Sequence, residues 1–348
     1  MKNILVLGYM ADLQTGMYIV ESAERLGNNV EFIDIRVLSN MHGSQNSQKI
    51  ILHDVDIVEN KPDIIIVLKG LELAPETIKA IKLLYPKATL VNWFFDIYIG
   101  QQKIWDAKFY FPTIKLFDYY FCSLKGVANK LKDRGLNNVY CIREACNLDF
   151  HGEQYMNAFQ KKKYGSDIAF AGSMGFHNIH HNRIKTLDAI IKSGSDIKIW
   201  GNIIGESKSI PISIRRHMVG VSAVNETHAM VCQSSLINLG LDAIPELYGS
   251  MSARIYRVMC AGGLYLSTAT KGIDELFKIN KKGEEITSDQ DLVVFYDDND
   301  LINKIDFLLE NNDIRESIAN NGKEKVLCEH KFTDRIKEMV EMISDGRK

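Results

Sequence analysis

The sequence has 348 residues, of which 46% are hydrophobic and 25% are charged, and it contains only 6 prolines. These values exclude a wholly disordered or fibrous chain, and the length favours two domains. The 42 basic and 44 acidic residues leave a formal net charge of −2. The chain therefore lacks an overall basic field that would attract nucleic acid, and we expect no nucleic-acid partner, whereas a local basic pocket for a phosphate is left open.

The apolar runs are far shorter than the roughly 20 residues that cross a bilayer, and the first residues do not form the apolar segment of a signal peptide. We therefore expect no export by that route. Six cysteines in a chain of this length do not form a disulfide framework. Most of them stand among apolar residues, which predicts reduced core thiols and a cytoplasmic protein.

The histidines and cysteines do not form a metal-binding motif. Cys141 and Cys146 are not faced by a second cysteine or histidine pair. His177, His180 and His181 lack a carboxylate or cysteine at helical spacing. Because structural zinc sites need four such ligands, the sequence predicts no metal.

The first part of the chain alternates short β-rich runs with longer amphipathic segments, a pattern that predicts a parallel doubly wound sheet. Gly and Asn residues separate the runs and predict turns between them. The predicted strands are residues 3–7, 30–35, 64–68, 88–95, 119–122 and 138–142, and the predicted helices are residues 17–26, 75–84 and 126–134.

A second alternating series follows a polar stretch that looks like a connector. Four domain segments result: residues 1–146, a linker at 147–166, a second domain at 167–332, and a final helix at 333–348 that could cross back to the first domain. The predicted strands of the second series are residues 167–171, 197–200, 234–239 and 264–267, and the predicted helices are residues 181–191, 253–260, 300–309, 313–326 and 333–343.

A glycine follows the first strand of each half. Gly8 ends the first strand, and Gly172 and Ser173 follow the strand at 167–171. Such a glycine either makes a tight turn before a helix or allows the backbone to approach a ligand closely. Arg183 stands in the helix after the second glycine, and donors at a helix N-terminus suit a diphosphate.

Segments of the second half resemble, in the same order, those of the CgeB-like, spore-protein-type members of the GT-B glycosyltransferases, a group related to glycosyl transferase group 1. The resemblance covers most of residues 167–335 and the N-terminal half loosely, where the segment NWFFDIY is similar to a family strand that ends in an acid. The matching segments are residues 252–256, 260–263, 272–277, 315–322 and 329–335.

The resemblance implies an α/β protein of the GT-B fold, with two Rossmann-like domains facing across a cleft. The second domain would hold a nucleotide-sugar donor, which is a co-substrate rather than a cofactor, and cationic side chains instead of a metal would stabilise the leaving diphosphate. The resemblance also implies roles for single residues by their position in the matching motifs. Ser173, Arg183 and Arg254 would lie near the diphosphate. Trp200 and Gly201 would lie at the nucleobase, and Ser252, Tyr256 and Gly263 at the sugar or ribose.

One position departs from the family pattern. Group 1 enzymes carry a glutamate just before the glycine step, where it binds ribose hydroxyls, and this chain has Arg257 there. An arginine side chain cannot accept hydrogen bonds from those hydroxyls. Either another residue such as Glu275 binds the ribose, or the donor is bound differently, or the protein is a non-catalytic copy.

Asp96 is the main candidate for the group that acts on the acceptor, since it ends an aromatic strand where an active-site acid belongs in an α/β sheet. In an inverting enzyme it would be the general base, and in a retaining enzyme it would orient the acceptor. A helix-capping role is the alternative. Asp12 and Glu144 are further candidates.

These observations predict a glycosyltransferase that moves a sugar from a nucleotide sugar to a hydroxyl of a glycan, protein or lipid acceptor. A peripheral membrane contact is left open, because many such acceptors are lipid-linked. A nucleotide-sugar epimerase and a non-catalytic sugar-nucleotide-binding protein are the alternatives. A NAD-dependent dehydrogenase is disfavoured, because no GxGxxG follows either first strand.

Overall fold

The computed structural model describes residues 1–10, 15–96, 113–175, 181–204 and 210–346. The chain divides into two compact units. Unit 1 consists of Met1–Glu144 together with Phe332–Lys348, and unit 2 consists of Ala145–Lys331. The last helix of the chain therefore belongs to the same unit as the first strand.

Unit 1 contains one six-stranded sheet in which every pair of neighbouring strands is parallel. The strand order is β2-β1-β3-β4-β5-β6. All five residues of β3 are buried, as expected for a β-branched run covered on both faces. The strands are β1 (Asn3–Gly8), β2 (Asn29–Asp34), β3 (Ile64–Leu68), β4 (Thr89–Phe94), β5 (Tyr119–Cys122) and β6 (Val139–Cys141).

The helices of unit 1 cover both faces of this sheet. In the sheet, β2 lies on one side of β1 and β3 lies on the other side. Because the connections between parallel strands are right-handed, this reversal places the connecting helices on opposite faces of the sheet. The first and last helices pack together, as do the second and third. The helices are α1 (Thr15–Arg25), α2 (Ile35–Asp56), α3 (Pro75–Leu84), α4 (Lys125–Asp133) and α13 (Phe332–Ser344).

The sheet of unit 2 is built in the same manner, with the order β13-β12-β11-β7-β9 and parallel pairing throughout. Two further short strands, β8 and β10, pair only with each other. The strands are β7 (Ile168–Ala171), β8 (Met174–Gly175), β9 (Ile197–Trp200), β10 (Ile203–Ile204), β11 (Ile237–Gly240), β12 (Tyr265–Thr268) and β13 (Val293–Phe295).

The helices of unit 2 include two within residues 147–166, the stretch that the sequence suggests to be a connector. Both of these pack against the helix that precedes β11. The helices are α5 (Leu148–His151), α6 (Ala158–Tyr164), α7 (His181–Lys192), α8 (Ile212–His217), α9 (Asn225–Ser234), α10 (Arg254–Cys260), α11 (Asp298–Glu310) and α12 (Asn312–Glu329). None of the helices in the described part of the chain is long and apolar enough to cross a membrane.

The core of unit 2 lies on both faces of its sheet, because successive strand residues point to opposite sides. Phe170 and Leu266 belong to one apolar cluster. Tyr265 and Val294 belong to a second cluster, together with residues of α10. Both faces are thus covered, and the carboxyl edge of the strands is where polar side chains can collect.

Candidate active site

The first candidate site lies in unit 2, at the carboxyl ends of β7 and β11. Their neighbours in the sheet are β9 on one side and β12 on the other, so the chain changes direction between these two strands. Ligands of open α/β sheets bind at such a switch point. Gly172 and Ser173 follow β7, and Leu241 and Asp242 follow β11.

Two arginines converge on this point. Arg183, in the first turn of α7, donates to the carbonyl oxygens of Ser173 at 2.6 Å and Leu241 at 3.1 Å. Arg254, the first residue of α10, donates through Nε to the carbonyl oxygen of Ala171 at 2.7 Å. Their guanidinium carbons lie 5.3 and 5.4 Å from the centre of the Phe170 ring. Both cations are therefore held close to the same aromatic ring.

These cations carry donors that the described residues do not use. Arg183 Nε and Arg254 Nη1 are buried and have no hydrogen-bond partner within the described ranges. Burial, followed by the like charge of Arg254, lowers the pKa of Arg183 to about 10. Unsatisfied buried donors are costly, and two adjacent cations repel, so the arrangement is suited to an anionic ligand that supplies acceptors.

Asp242 is the acidic member of this cluster. Its carboxylate accepts from the Ser252 backbone N–H at 3.1 Å and from the Thr270 hydroxyl at 3.4 Å. Burial raises the pKa of Asp242, and the positive charges of Arg254 and Arg183 act in the opposite direction. One carboxylate opposes two guanidinium groups, so the cluster keeps a net positive charge.

Gly172 is needed for this packing. A Cβ at that position would lie 3.0 Å from Arg254 Nη2 and 2.9 Å from the Phe170 ring. The Ser252 hydroxyl accepts from the Arg254 backbone N–H at 3.2 Å. The structure therefore brings together five residues that the sequence analysis selects: Gly172, Ser173, Arg183, Ser252 and Arg254.

Trp200 and Gly201 have a different environment. Trp200 is 2% exposed and packs in a small apolar cluster with Val231. Its ring centroid lies 5.8 Å from that of Tyr164. A Cβ at Gly201 would lie 2.1 Å from the Gly172 carbonyl oxygen. Both residues therefore contribute to the packing of β9 against β7.

Tyr256, Gly263 and Glu275 lie away from these switch-point contacts. Tyr256 is 2% exposed and packs among the rings of Phe277 and His330 in the core. Gly263 precedes β12 and therefore lies at the amino end of a strand, where a Cβ would be 2.7 Å from Asn238 Nδ2. Glu275 is exposed in a 3-10 helix and accepts a hydrogen bond from the Tyr248 hydroxyl.

The charge of Arg257 acts on two buried histidines of unit 2. Burial and the charges of Arg257 and Arg254 lower the pKa of His228 to about 3. Burial and Arg257 also hold the pKa of His151 well below its usual value. The arginine at the expected glutamate position therefore helps to keep these two histidines neutral.

Lowering the pH from 7 to 5 is expected to reduce the free energy of unfolding by about 2 kcal/mol through His228 alone. The folded protein keeps this side chain neutral down to a pKa of about 3, whereas the unfolded chain binds a proton near pH ~6.5. The stabilisation is therefore complete above pH ~6.5 and decreases as the pH falls toward the folded-state pKa. Urea unfolding of the wild type at both pH values measures the loss.

His228→Gln should show a smaller loss of stability between these pH values than the wild type. The matched control is His42→Gln, because His42 is exposed in unit 1. That control should keep the wild-type dependence on pH. Identical pH dependence in the wild type and His228→Gln would contradict the assignment.

The second candidate site is a pocket of about 150 Å³ within unit 1. It lies at the carboxyl ends of β1, β3 and β4, where the strand order of this unit also reverses. A Cβ at Gly8 would lie 2.9 Å from Leu68, so that glycine allows β1 and β3 to pack closely. The lining residues are Gly8, Tyr9, Thr15, Gly16, Arg36, Leu68, Lys69, Glu72, Phe95, Asp96 and Glu144.

Two ion pairs provide most of the charge in this pocket. Lys69 Nζ lies 2.7 Å from Asp96 Oδ2, and the two side chains are 35% and 38% exposed. Arg36 Nε lies 2.6 Å from Glu72 Oε1, and its guanidinium carbon lies 5.3 Å from the centre of the Tyr9 ring. Each pair joins a positive and a negative group, so the pocket offers both donors and acceptors.

Sequence reasoning missed Asp242 and Lys69. Lys69 directly follows the predicted strand at 64–68, and Asp242 lies three residues after the predicted strand at 234–239, so a search of the strand ends could have found them. Asp12 and the histidines at 177 and 180 lie outside the described residues, as does the side chain of His181.

Within the described ranges, no three His, Cys, Asp or Glu residues are grouped closely enough to hold a metal ion.

Comparison with known proteins gives a family match for part of the chain. Residues 181–341 match a family model described as "Glycosyl transferase-like". Comparison with curated proteins finds no significant match. The family match therefore covers most of unit 2, including both arginines of its candidate site. It also covers the first part of α13, up to residue 341.

Several solved structures resemble the chain over nearly its whole length. An α-glucosyltransferase in complex with UDP-glucose and DNA is 12% identical, with a TM-score of 0.62 and 99% of each chain covered. The catalytic domain of starch synthase IV from Arabidopsis thaliana, bound to ADP and acarbose, is 10% identical, with a TM-score of 0.60 and coverage of 97% and 99%. A UDP-GlcNAc 2-epimerase from Methanocaldococcus jannaschii is 11% identical, with a TM-score of 0.51 and coverage of 98% and 99%.

These similarities define the fold. The chain has the α/β GT-B fold, with two Rossmann-like units, and the expected fold class is confirmed. At these identities the similarity concerns the fold alone. Glycosyltransferases and an epimerase share that fold, so function must be argued from the sites.

Proposed function

We propose that this protein is a glycosyltransferase that transfers a sugar from a nucleotide-sugar donor to an acceptor hydroxyl. The observation that carries the proposal is the pair of arginines at the switch point of unit 2, each with a buried donor that no described residue accepts from. A diphosphate would supply those acceptors and balance the two adjacent cations. The match of residues 181–341 to the "Glycosyl transferase-like" model supports this choice.

The chemical role of the cluster follows from where charge develops. Negative charge builds on the leaving phosphate oxygen as the bond to the anomeric carbon breaks. Arg183 and Arg254 are fixed by backbone carbonyls before the ligand arrives. Preorganised donors of this kind stabilise a developing anion without reorganisation. Asp242 would hold the two cations in place rather than touch the sugar.

Unit 1 supplies the acceptor side in this proposal. Asp96 would accept the hydrogen bond of the acceptor hydroxyl, as general base in an inverting reaction or as an orienting group in a retaining one. The acceptor is a glycan, protein or lipid. We also propose that the chain belongs to the CgeB-like branch, because its segments at 252–256 and 272–277 resemble those of that group. A cytoplasmic location is proposed as well, since all six cysteines are free thiols.

The donor is expected to stabilise the protein on binding. A panel of UDP-, GDP-, dTDP- and CMP-sugars, each at about 100 times its dissociation constant, should reveal one nucleotide that stabilises by about 2.7 kcal/mol. The measurement is the shift in unfolding temperature, followed by product analysis with added acceptors. Absence of any shift across the panel would contradict a nucleotide-sugar site.

The second candidate function is a nucleotide-sugar epimerase. It is favoured by one observation, namely the similarity of the whole chain to an enzyme described as a UDP-GlcNAc 2-epimerase. Incubation with the stabilising donor and no acceptor separates the two functions. Formation of a sugar isomer would support the epimerase, whereas transfer that needs an added acceptor would support the glycosyltransferase. Binding without either reaction would indicate a non-catalytic binding protein.

A further inference from the structure

The chain takes an unusual conformation directly after β3. Lys69 has a φ of 60° and Gly70 a φ of 74°. Lys69 and Asn225 are the two non-glycine residues with positive φ in the described part of the chain. Such a conformation disfavours residues with a Cβ, and outliers of this kind collect at functional sites. A lysine at this position therefore needs an explanation.

The neighbouring strand holds this turn in place. The Lys69 N–H donates to the Trp93 carbonyl oxygen at 2.9 Å, and the Asn92 amide donates to the Lys69 carbonyl oxygen at 3.1 Å. Asn92 is 1% exposed in a strand whose other inner residues are apolar. A buried amide is thus used to fix the backbone of Lys69, and Gly70 follows where a Cβ would lie 2.7 Å from Val67.

The turn places the Lys69 ammonium in the unit 1 pocket, 2.7 Å from Asp96 Oδ2. An ammonium has three N–H donors, and Asp96 is its only described ion-pair partner. The remaining donors and the second carboxylate oxygen are available to a ligand, because both side chains are about one-third exposed. The pair therefore presents a donor and an acceptor side by side.

We propose that Lys69 and Asp96 together select a neutral hydroxyl-bearing acceptor, with Lys69 donating to the hydroxyl oxygen and Asp96 accepting its hydrogen. A hydroxyl is both donor and acceptor, so it satisfies both partners. The Lys69 cation disfavours an acceptor with an ammonium group at this position, and the Asp96 anion disfavours one with a carboxylate or phosphate. This inference rests on the proposed glycosyl transfer and names the acceptor class that Lys69 recognises.

The first test removes the ammonium without straining the backbone. Glycine and asparagine tolerate positive φ better than lysine, so Lys69→Gly and Lys69→Asn should unfold at or above the wild-type temperature. Both should lower kcat/KM for a neutral p-nitrophenyl glycoside acceptor about 10- to 100-fold. Donor binding, measured by calorimetry with the nucleoside diphosphate, should stay unchanged, and Lys69→Arg should restore part of the activity.

The outcomes separate the two proposals. Wild-type kcat/KM in Lys69→Gly, with transfer otherwise intact, would overturn the role of Lys69 and leave the glycosyltransferase standing. A wild type that prefers the p-nitrophenyl uronide or aminodeoxy glycoside over the neutral glycoside would also overturn the inference alone. A wild type that transfers to no acceptor would overturn the proposed function and this inference together.

Discussion

Replacing Arg254 by alanine is expected to lower kcat/KM for transfer by about 100- to 1,000-fold, the range found when one preorganised donor to a developing anion is removed. The Nη1 group of Arg254 is buried, and no described residue accepts a hydrogen bond from it. It is therefore available to the diphosphate, together with the donors of Arg183. Without it, one cation faces the diphosphate instead of two. Steady-state kinetics with the stabilising nucleotide sugar, and calorimetry with the nucleoside diphosphate, would measure the loss.

Thermal stability should change much less than activity in this variant. Arg254→Ala loses the hydrogen bond to the Ala171 carbonyl oxygen, which costs about 1 kcal/mol, but it also relieves the repulsion of Arg183. Arg216→Ala is the matched control, since Arg216 is an exposed residue of α8. Wild-type kcat/KM in Arg254→Ala would remove Arg254 from the mechanism.

Asp96→Asn is expected to lower kcat by about 100- to 10,000-fold if Asp96 is the general base. The amide has nearly the same shape but cannot accept a proton, and it loses the charge that pairs with Lys69. Donor binding should be unaffected, because no residue of unit 2 changes. Kinetics under saturating donor, together with calorimetry of the donor, would separate the two steps.

Asp118→Asn is the control for Asp96. Asp118 is also partly exposed in unit 1 and also forms an ion pair with a lysine, Lys82, but it precedes β5 and therefore lies at the amino end of its strand. It should keep wild-type turnover. An active Asp96→Asn would rule out Asp96 as the base. Retention of anomeric configuration in the product, read by NMR, would then assign it an orienting role.

The pattern of strands and helices could be predicted in large part from the sequence. The strand at 64–68 and the helix at 75–84 agree with β3 and α3. Each of these elements has a strong local signal. The strand is a continuous β-branched run, and the helix has a proline in its first turn followed by apolar residues at helical spacing. Their alternation indicated parallel α/β sheets, whereas the GT-B fold was expected from the family resemblance.

The elements that were missed have weaker local signals. The α2 helix contains Gly43 with a φ of 77°, which interrupts its helical backbone. The α9 helix begins at Asn225, whose φ is 48°, and β13 has only three residues. Packing against neighbouring elements, rather than local propensity, stabilises such segments.

The sequence alone determined that this chain forms two α/β units, since the spacing of apolar residues sets the type of each element and the alternation of strands and helices favours parallel sheets. Only the tertiary structure decided which side chains meet. Arg183 reaches a carbonyl 58 positions away, and Arg254 one 83 positions away. Strand order brings those carbonyls to one edge of a sheet, so contacts with no trace in local sequence create the cationic cluster.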